Sequence, residues 1–169
     1  TSYIPTTTAS VVRSADLCSI TGSDFTSFYN QSEGALFGNT IKTSTNSNSF
    51  VCSISDNTFA NAIDIRYSTS SIAQTVINAS SASQVGITAS ITVGLTVKQA
   101  VAYKLNDCGY SVNGGTATQD SSALIPTVNR LTIGNAAVPA QNLYLNGTIS
   151  SIRYFKKRLA NQKLQTLTT

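Results

Sequence analysis

The acidic side chains of this chain are few and scattered. Its 169 residues include seven carboxylates, one Glu and six Asp, and no His. Most glycosidases need a pair of Asp or Glu side chains that flank the bond to be cleaved, and no Glu-x-Asp-x-Glu run or similar arrangement occurs here. Nucleophilic triads use a His as the base. The residue types that could do chemistry therefore favour a protein that is not an enzyme.

One carboxylate pair stays open as the catalytic alternative. Asp64 lies on a predicted strand whose flanking residues, Ile63 and Ile65, point toward the core, so we expect Asp64 to face solvent or a groove. Glu33 lies before the first predicted hairpin, and we expect it in a loop or at an edge. A Glu33/Asp64 pair would be the route to hydrolysis.

The cysteines do not suggest a metal site. Cys18, Cys52 and Cys108 lack CxxC spacing, and each lies among alternating apolar residues. We predict three buried, unpaired thiols that act as small hydrophobic groups; one disulfide and one free thiol is the alternative. With no His and no clustered Cys, no metal or other cofactor is predicted, although one Ca²⁺ held by loop carbonyls and a single Asp stays an alternative.

Sugar binding is the chemistry that remains. Sugar rings stack on aromatic faces, and because Trp is absent, tyrosines near loops or strand ends would have to supply them. The candidate carbohydrate-binding residues, which combine such tyrosines with nearby amides, are Tyr29, Tyr67, Tyr144, Asn142 and Asn146. Packing inside the protein is the alternative for each tyrosine. Tyr103, Tyr110 and Tyr154 fall within strand patterns and are expected in the core or on a sheet face.

The elements that position these side chains are short strands. Ser and Thr make up 47 of the 169 residues, and alternating segments are separated by turn residues, which is typical of a β-sandwich. Segments 35–41 and 49–54 are predicted to form a hairpin across the polar loop 43–48. Asn113-Gly114 predicts a tight turn. One helix is predicted over residues 161–167, with Asn161 as its cap and Leu164 and Leu167 as its apolar stripe.

The distribution of charge limits the classes of partner that the chain is expected to bind. The net charge is +4, and five of the eleven basic residues lie between Arg153 and Lys163. Lys156, Lys157 and Arg158 flank a predicted strand end, and Lys163 lies on a solvated helix face. A nucleic-acid site would instead interleave basic residues with exposed aromatics along one face, so no nucleic-acid partner is predicted. No apolar run approaches the roughly 20 residues that span a bilayer, and no membrane insertion is expected.

Several segments resemble the C-terminal domains of bacteriophage tail-fibre and virion surface proteins. They are residues 2–7 (SYIPTT), 12–16 (VRSAD), 27–34 (SFYNQSEG), 103–115 (YKLNDCGYSVNGG) and 152–161 (IRYFKKRLAN). The resemblance covers nearly the whole chain and is faint over residues 68–97. The chain departs from the family at Ala160, where a capping Ser or Thr is usual.

The resemblance implies both a fold and a role. The fold is an all-β, two-sheet antiparallel jelly-roll sandwich, concanavalin A-like (laminin G-like), with one short C-terminal helix. Residues 1–13, which are rich in Pro and Thr, are expected to be a linker and initial strand from a preceding domain, and residues 14–169 the jelly-roll domain. The role is a virion-surface domain that attaches to a host-surface glycan, contacts other virion proteins and forms a homo-oligomer in a fibre. A purely structural module that caps, trimerises or decorates a fibre or capsid is the alternative.

Overall fold

The structure is a computed structural model that describes residues 17–138 and 143–169. Within these ranges the chain forms eleven strands and two helices. In chain order they are β1 (Cys18–Thr21), α1 (Gly22–Phe28), β2 (Glu33–Lys42), β3 (Ser49–Ser55), β4 (Ala62–Thr69), β5 (Ile72–Ala79), β6 (Ala82–Ser90), β7 (Thr96–Lys104), β8 (Cys108–Val112), β9 (Thr118–Asp120), β10 (Arg130–Ile133), β11 (Gly147–Phe155) and α2 (Asn161–Thr168). The predicted linker, residues 1–13, lies outside the described residues, and the boundary at residue 14 stays a prediction.

The strands form two antiparallel sheets. One has six strands in the order β1-β10-β3-β4-β5-β6, and the other has five in the order β11-β2-β7-β8-β9. Inward-facing apolar residues of both sheets make one core, which includes Leu36, Ile54, Ile63 and Val101. The predicted two-sheet antiparallel sandwich is confirmed.

The predicted hairpin of segments 35–41 and 49–54 is wrong. β2 pairs with β7 and β11 in the five-stranded sheet, whereas β3 pairs with β4 and β10 in the six-stranded sheet. The polar connection 43–48 therefore carries the chain from one sheet to the other. A six-residue loop is compatible with either path, and sequence spacing alone does not distinguish them.

The predicted tight turn is confirmed. Asn113 and Gly114 have φ values of 48° and 73°, the left-handed conformation that Asn and Gly adopt most readily. The turn leads from β8 toward β9. Asn106, with a φ of 55°, makes the turn between β7 and β8 in the same way.

The two helices contact different sheets: α1 contacts β1 and β10, and α2 contacts β7 and β8. α2 lies on the outer face of the five-stranded sheet, where Leu164 packs against Ala100, Ala102 and Phe37; small alanine side chains let the helix approach the strands. Its predicted cap is wrong, because Ala160 occupies the N-cap and the Asn161 Oδ1 accepts from Arg158 instead.

The helix α1 was not predicted. It has seven residues and buries one large side chain, Phe25. Two turns are too short for the 3.6-residue period to be recognised, so only the structure reveals it. Neither α1 nor α2, the helices of the described residues, has the length and apolarity to cross a membrane.

Tyr103 and Tyr110 are buried, as predicted. The hydroxyl of Tyr103 is 2.8 Å from that of Tyr154 and donates to the carbonyl of Asn30 at 3.1 Å. A Cβ at Gly34 would lie 2.6 Å from the Tyr103 hydroxyl oxygen. The glycine is therefore required for the tyrosine to pass beneath β2.

The cysteine prediction is only partly right. All three are free, and Cys52 and Cys108 are buried, but Cys18 is exposed. β1 is the edge strand of its sheet, and Cys18 points into a cavity at the open side of the sandwich, beside Ile133 and Ile149. An alternating apolar pattern predicts the face of a strand, but it does not show whether that face is covered.

Candidate functional site

The outer face of the six-stranded sheet carries a cluster of polar and aromatic side chains. On β4, Ile63, Ile65 and Tyr67 point inward and are fully buried. Alternation along a strand therefore places Asp64 and Arg66 on the outer face. β3 and β5 add their own outward residues beside these two.

Arg66 is held in one orientation on this face. Its Nε donates to the Oε1 of Gln74, 2.9 Å away on β5, and its guanidinium carbon lies 5.4 Å from the centre of the Phe50 ring. Among the described residues, nothing accepts a hydrogen bond from its Nη1 or Nη2. The side chain is half-buried. Burial lowers the pKa of Arg66, and the nearby Asp64 acts in the opposite direction by raising it. The result is an oriented cation with two nitrogens left to bind a partner.

Asp64 lies beneath this surface, although we expected it to face solvent or a groove. Its side chain is 1% exposed, and its Oδ1 accepts a 2.5 Å hydrogen bond from the Ser53 hydroxyl. Burial raises the pKa of Asp64 to about 7, against the opposing effects of that hydrogen bond and of Arg66. In mildly acidic solution the Asp64 carboxyl is therefore largely neutral. Under those conditions it does not compensate the positive charge of Arg66.

The loop 56–61 packs beside this cluster, against Phe50 and Asn78. Asp56 fixes the loop by accepting from the backbone N–H and hydroxyl of Thr58 and from the amide of Asn61. Phe59, at the centre of the loop, is half-buried, and its ring centre lies 6.0 Å from that of Phe50. These rings form an apolar wall beside Arg66.

The neighbouring strand β6 leaves the other side of the cluster open. Thr88 is paired with Gln74, and Gly86 with Val76. Both β6 residues are exposed, and a Cβ added at Gly86 would meet no atom within 4 Å. We call the surface formed by Arg66, Gln74, Thr88 and Phe59 the Arg66 face.

The Arg66 face combines the groups that recognise a negatively charged, partly apolar ligand. A guanidinium binds a carboxylate through two parallel N–H donors, and Thr88 supplies a hydroxyl. Phe59, which is half-buried, offers apolar surface to the carbon skeleton. Glu33 and Asp64 do not form the carboxylate pair left open above, because Glu33 lies on the outer face of the other sheet, where it is paired with Lys104. Glu33 accepts instead from the backbone N–H of Arg158.

Two of the predicted binding tyrosines pack against other side chains of the protein. Tyr67, which we expected near a strand end, is 0% exposed, and its hydroxyl is 2.6 Å from that of Thr40. Its alternation with Ile63 and Ile65 determines this placement. Tyr29 is half-buried and stacks on Phe25 with ring centres 4.6 Å apart; burial raises its pKa. For these two residues the packing alternative describes the structure.

Two other predicted residues lie together. Tyr144 and Asn146 line a cavity of about 420 Å³ at the open side of the sandwich, the one that Cys18 also lines. Asn146 adopts a φ of 49°, and its carbonyl accepts from the backbone N–H and the hydroxyl of Thr43, so it has a turn-forming role as well. Asn142 lies outside the described residues. Sugar binding by Tyr144 and Asn146 stays a prediction.

The side chains of the Arg66 face were not singled out from the sequence. One signal was present, because the same alternation that put Ile63 and Ile65 inside placed Arg66 and Asp64 together on the outer face. Phe59 and Gln74 had no such signal, since the fold of the loop 56–61 and the β4–β5 pairing bring them there. In the described part of the chain, no three His, Cys, Asp or Glu side chains gather as a possible metal-binding group.

By sequence, no protein-family model and no curated protein matches the chain. By structure, it is similar to the CBM40 of Ruminococcus gnavus IT-sialidase bound to α2,3-sialyllactose, with a TM-score of 0.70 and 12% identity over 83% of this chain and 84% of that one. The leech intramolecular trans-sialidase gives a TM-score of 0.67 and 17% identity over 82% of this chain. A SAP-like pentraxin from Limulus polyphemus gives 0.59 and 10% identity over 81% of this chain and 70% of that one.

These similarities concern the fold. The chain has the fold of the sialidase carbohydrate-binding modules, which confirms the predicted concanavalin A-like jelly roll. It spans only 23% of the leech enzyme. At these identities no residue of the Arg66 face can be transferred from the similar proteins, and the site is argued from this chain alone.

Proposed function

We propose that this domain is a non-catalytic glycan-binding module that recognises a carboxylated sugar through Arg66. The observation that carries the proposal is the orientation of Arg66: Gln74 and Phe50 hold its guanidinium while both Nη groups stay available. Sugar acids present a planar carboxylate next to a ring with apolar faces, and the Arg66 face offers a counterpart to each part.

The similar structures support the same class of ligand. The CBM40 of Ruminococcus gnavus IT-sialidase is among them in two complexes, one with α2,3- and one with α2,6-sialyllactose, and sialic acid is a carboxylated sugar. The scattered carboxylates and the separation of Glu33 from Asp64 on opposite faces support binding without cleavage.

The proposal extends to location and assembly. The resemblance of segments such as 27–34 and 152–161 to phage tail-fibre domains supports a place on the virion surface, where the domain would attach to host glycans and contact other virion proteins. A single Arg-centred site is expected to bind weakly. Several copies in one fibre would raise the avidity by roughly 10²–10⁴ without any new contact, provided that the sites engage together.

A glycan array probed with a tetramerised domain tests the proposal. We expect binding to glycans with terminal carboxylated sugars and loss of that binding in Arg66→Gln. Hydrogen bonds to a charged group contribute about 1.5–3 kcal/mol, or roughly 10- to 150-fold in affinity. Arg66→Lys keeps the charge but not the paired donors, and it should recover only part of the binding.

The chain provides a matched control for this substitution. Arg153 lies over Phe37, 5.7 Å from the ring centre, on the outer face of the other sheet. Arg153→Gln removes the same charge and the same kind of ring contact, so it should leave glycan binding intact. Equal losses in the two variants would show that only net charge matters. No binding to any glycan by the tetramer would favour the purely structural module.

A further inference from the structure

A cavity of about 680 Å³ lies at one end of the sandwich, next to the loop 56–61. We call it the end pocket. It is lined by residues from five connections between elements and by Ala79 at the end of β5. Its volume lies within the range of about 300–1,000 Å³ that is usual for small-molecule sites.

One wall of the end pocket is aliphatic and open to solvent. Leu105 and Leu124 are 57% and 56% exposed, and Ile125 and Pro126 add to the aliphatic lining. Leu124 is fixed through its backbone N–H, which donates to the Oε1 of Gln84 at 3.1 Å. Large leucines held at a cavity mouth provide apolar surface that a ligand could cover.

The other lining residues carry hydroxyl and amide groups, and the amides are those of Gln31 and Asn61. Asn61 is oriented on both sides, because its Oδ1 accepts from the backbone N–H of Ser80 and its Nδ2 donates to Asp56. Gln31 donates through Nε2 to the carbonyl of Pro126 at 2.6 Å, which leaves its Oε1 to accept.

Three hydroxyls of the lining have spare hydrogen-bonding capacity. They belong to Ser32, Ser80 and Thr127, and none has a hydrogen-bond partner among residues 17–138 and 143–169. No charged side chain lines the pocket. Its lining is therefore neutral and combines hydrogen-bonding groups with aliphatic ones.

We propose that the end pocket is a second saccharide subsite, which takes a neutral, hydroxyl-rich sugar unit. Such a sugar has hydroxyls around its rim for the serine, threonine and amide groups, and C–H faces for the leucine wall. This inference rests on the proposed function, because it adds a neutral subsite to a module that binds glycans.

The position of the end pocket fits one glycan that contacts both sites. The loop 56–61 contributes Phe59 to the Arg66 face and Asn61 to the pocket, and the carbonyl of Phe59 accepts from the Asn78 amide on β5. Asn61 and Arg66 are five residues apart along the extended chain, or roughly 17 Å. A glycan of a few units, with a carboxylated end at Arg66, could therefore place a neutral unit in the pocket.

Methyl NMR of the 169-residue chain tests the inference with lactose, galactose and N-acetylglucosamine as neutral probes and 3′-sialyllactose as the acidic one. We expect at least one neutral probe to shift the methyl signals of Leu105, Leu124 and Ile125. Leu124→Ser should weaken that binding by roughly 3- to 10-fold, since it removes apolar contact at the cavity mouth. Leu95→Ser is the matched control, because Leu95 is 60% exposed and lies outside the pocket.

Each result separates this inference from the proposed function. Shifts at the pocket methyls with a neutral sugar, kept in Arg66→Gln, support the subsite even if the acidic glycan does not bind at Arg66. Binding of 3′-sialyllactose at Arg66 without any methyl shift from the neutral probes overturns the subsite and leaves the proposed function standing. Equal weakening by Leu124→Ser and Leu95→Ser also overturns it, with circular dichroism used to show that both variants are folded.

Discussion

Replacing Asp64 with Asn should change the way the stability of the domain depends on pH. Asp64 is fully buried, and its pKa rises from 3.8 to about 7 on folding. Below about pH 4 the carboxyl is protonated in both states. Between pH 4 and 7 the unfolded state ionises while the folded state keeps its proton, so the stability falls as the pH rises through this window and is constant above it.

The size of this effect follows from the shift. About three pKa units at 1.36 kcal/mol each give a loss of about 4 kcal/mol across the whole window, of which about 2–3 kcal/mol falls between pH 5 and 8. The chain has no His, so few other groups titrate there. Asp64→Asn keeps an acceptor for the Ser53 hydroxyl but cannot ionise. Its free energy of unfolding should therefore lack this fall.

Urea titrations followed by circular dichroism at pH 5, 6, 7 and 8 measure the difference. The stability of Asp64→Asn relative to wild type should rise by about 2–3 kcal/mol from pH 5 to pH 8. The amide introduced by Asp64→Asn adds N–H donors, and leaving one of them unsatisfied costs about 1–3 kcal/mol of stability. This cost is the same at every pH, so it does not change how the stability of the variant depends on pH. Asp24→Asn, on an exposed part of α1, is the control. Parallel pH profiles for wild type and Asp64→Asn would refute the reasoning.

Three further outcomes are expected. The affinity for 3′-sialyllactose should increase as the pH falls from 8 to 6, because Asp64 becomes neutral, and an affinity independent of pH would count against this. Cys18 should react with a thiol reagent in the native state well before the two buried cysteines, which mass spectrometry of labelled peptides would show; uniform slow labelling would contradict its exposure. Gly34→Ala should destabilise the domain by about 1–3 kcal/mol, since its Cβ would meet the Tyr103 hydroxyl. Gly86→Ala has free space around it, so in urea unfolding it should lower the stability less than Gly34→Ala does.

Local signals in the sequence predicted the architecture well. The Asn113-Gly114 turn, the inward side chains of Ile63 and Ile65 and the helix around Leu164 each depend on near neighbours in the chain. The error at Tyr67 came from giving its place near a strand end more weight than its alternation with Ile65. In the structure that alternation determines which side of the sheet the ring occupies.

Features that depend on long-range pairing were not predictable in the same way. The assignment of β2 and β3 to different sheets depends on their partners β7 and β4, which lie far along the chain. The cluster around Arg66 depends on the neighbouring strands and on the fold of the loop 56–61. A sequence pattern places one side chain on a face, but only the pairing of strands shows what lies next to it.

The most direct test of the account is to observe the side-chain Nε–H signal of Arg66 by NMR during a titration with 3′-sialyllactose. We predict a saturable shift of that signal, with smaller shifts from Gln74 and Thr88, and no matching shift at Arg153. Lactose, which lacks the carboxylate, should leave the Arg66 signal unchanged. An Arg66 signal that stays unmoved at saturating 3′-sialyllactose, or binding that maps to another surface, would contradict the claim that this arginine recognises an acidic glycan.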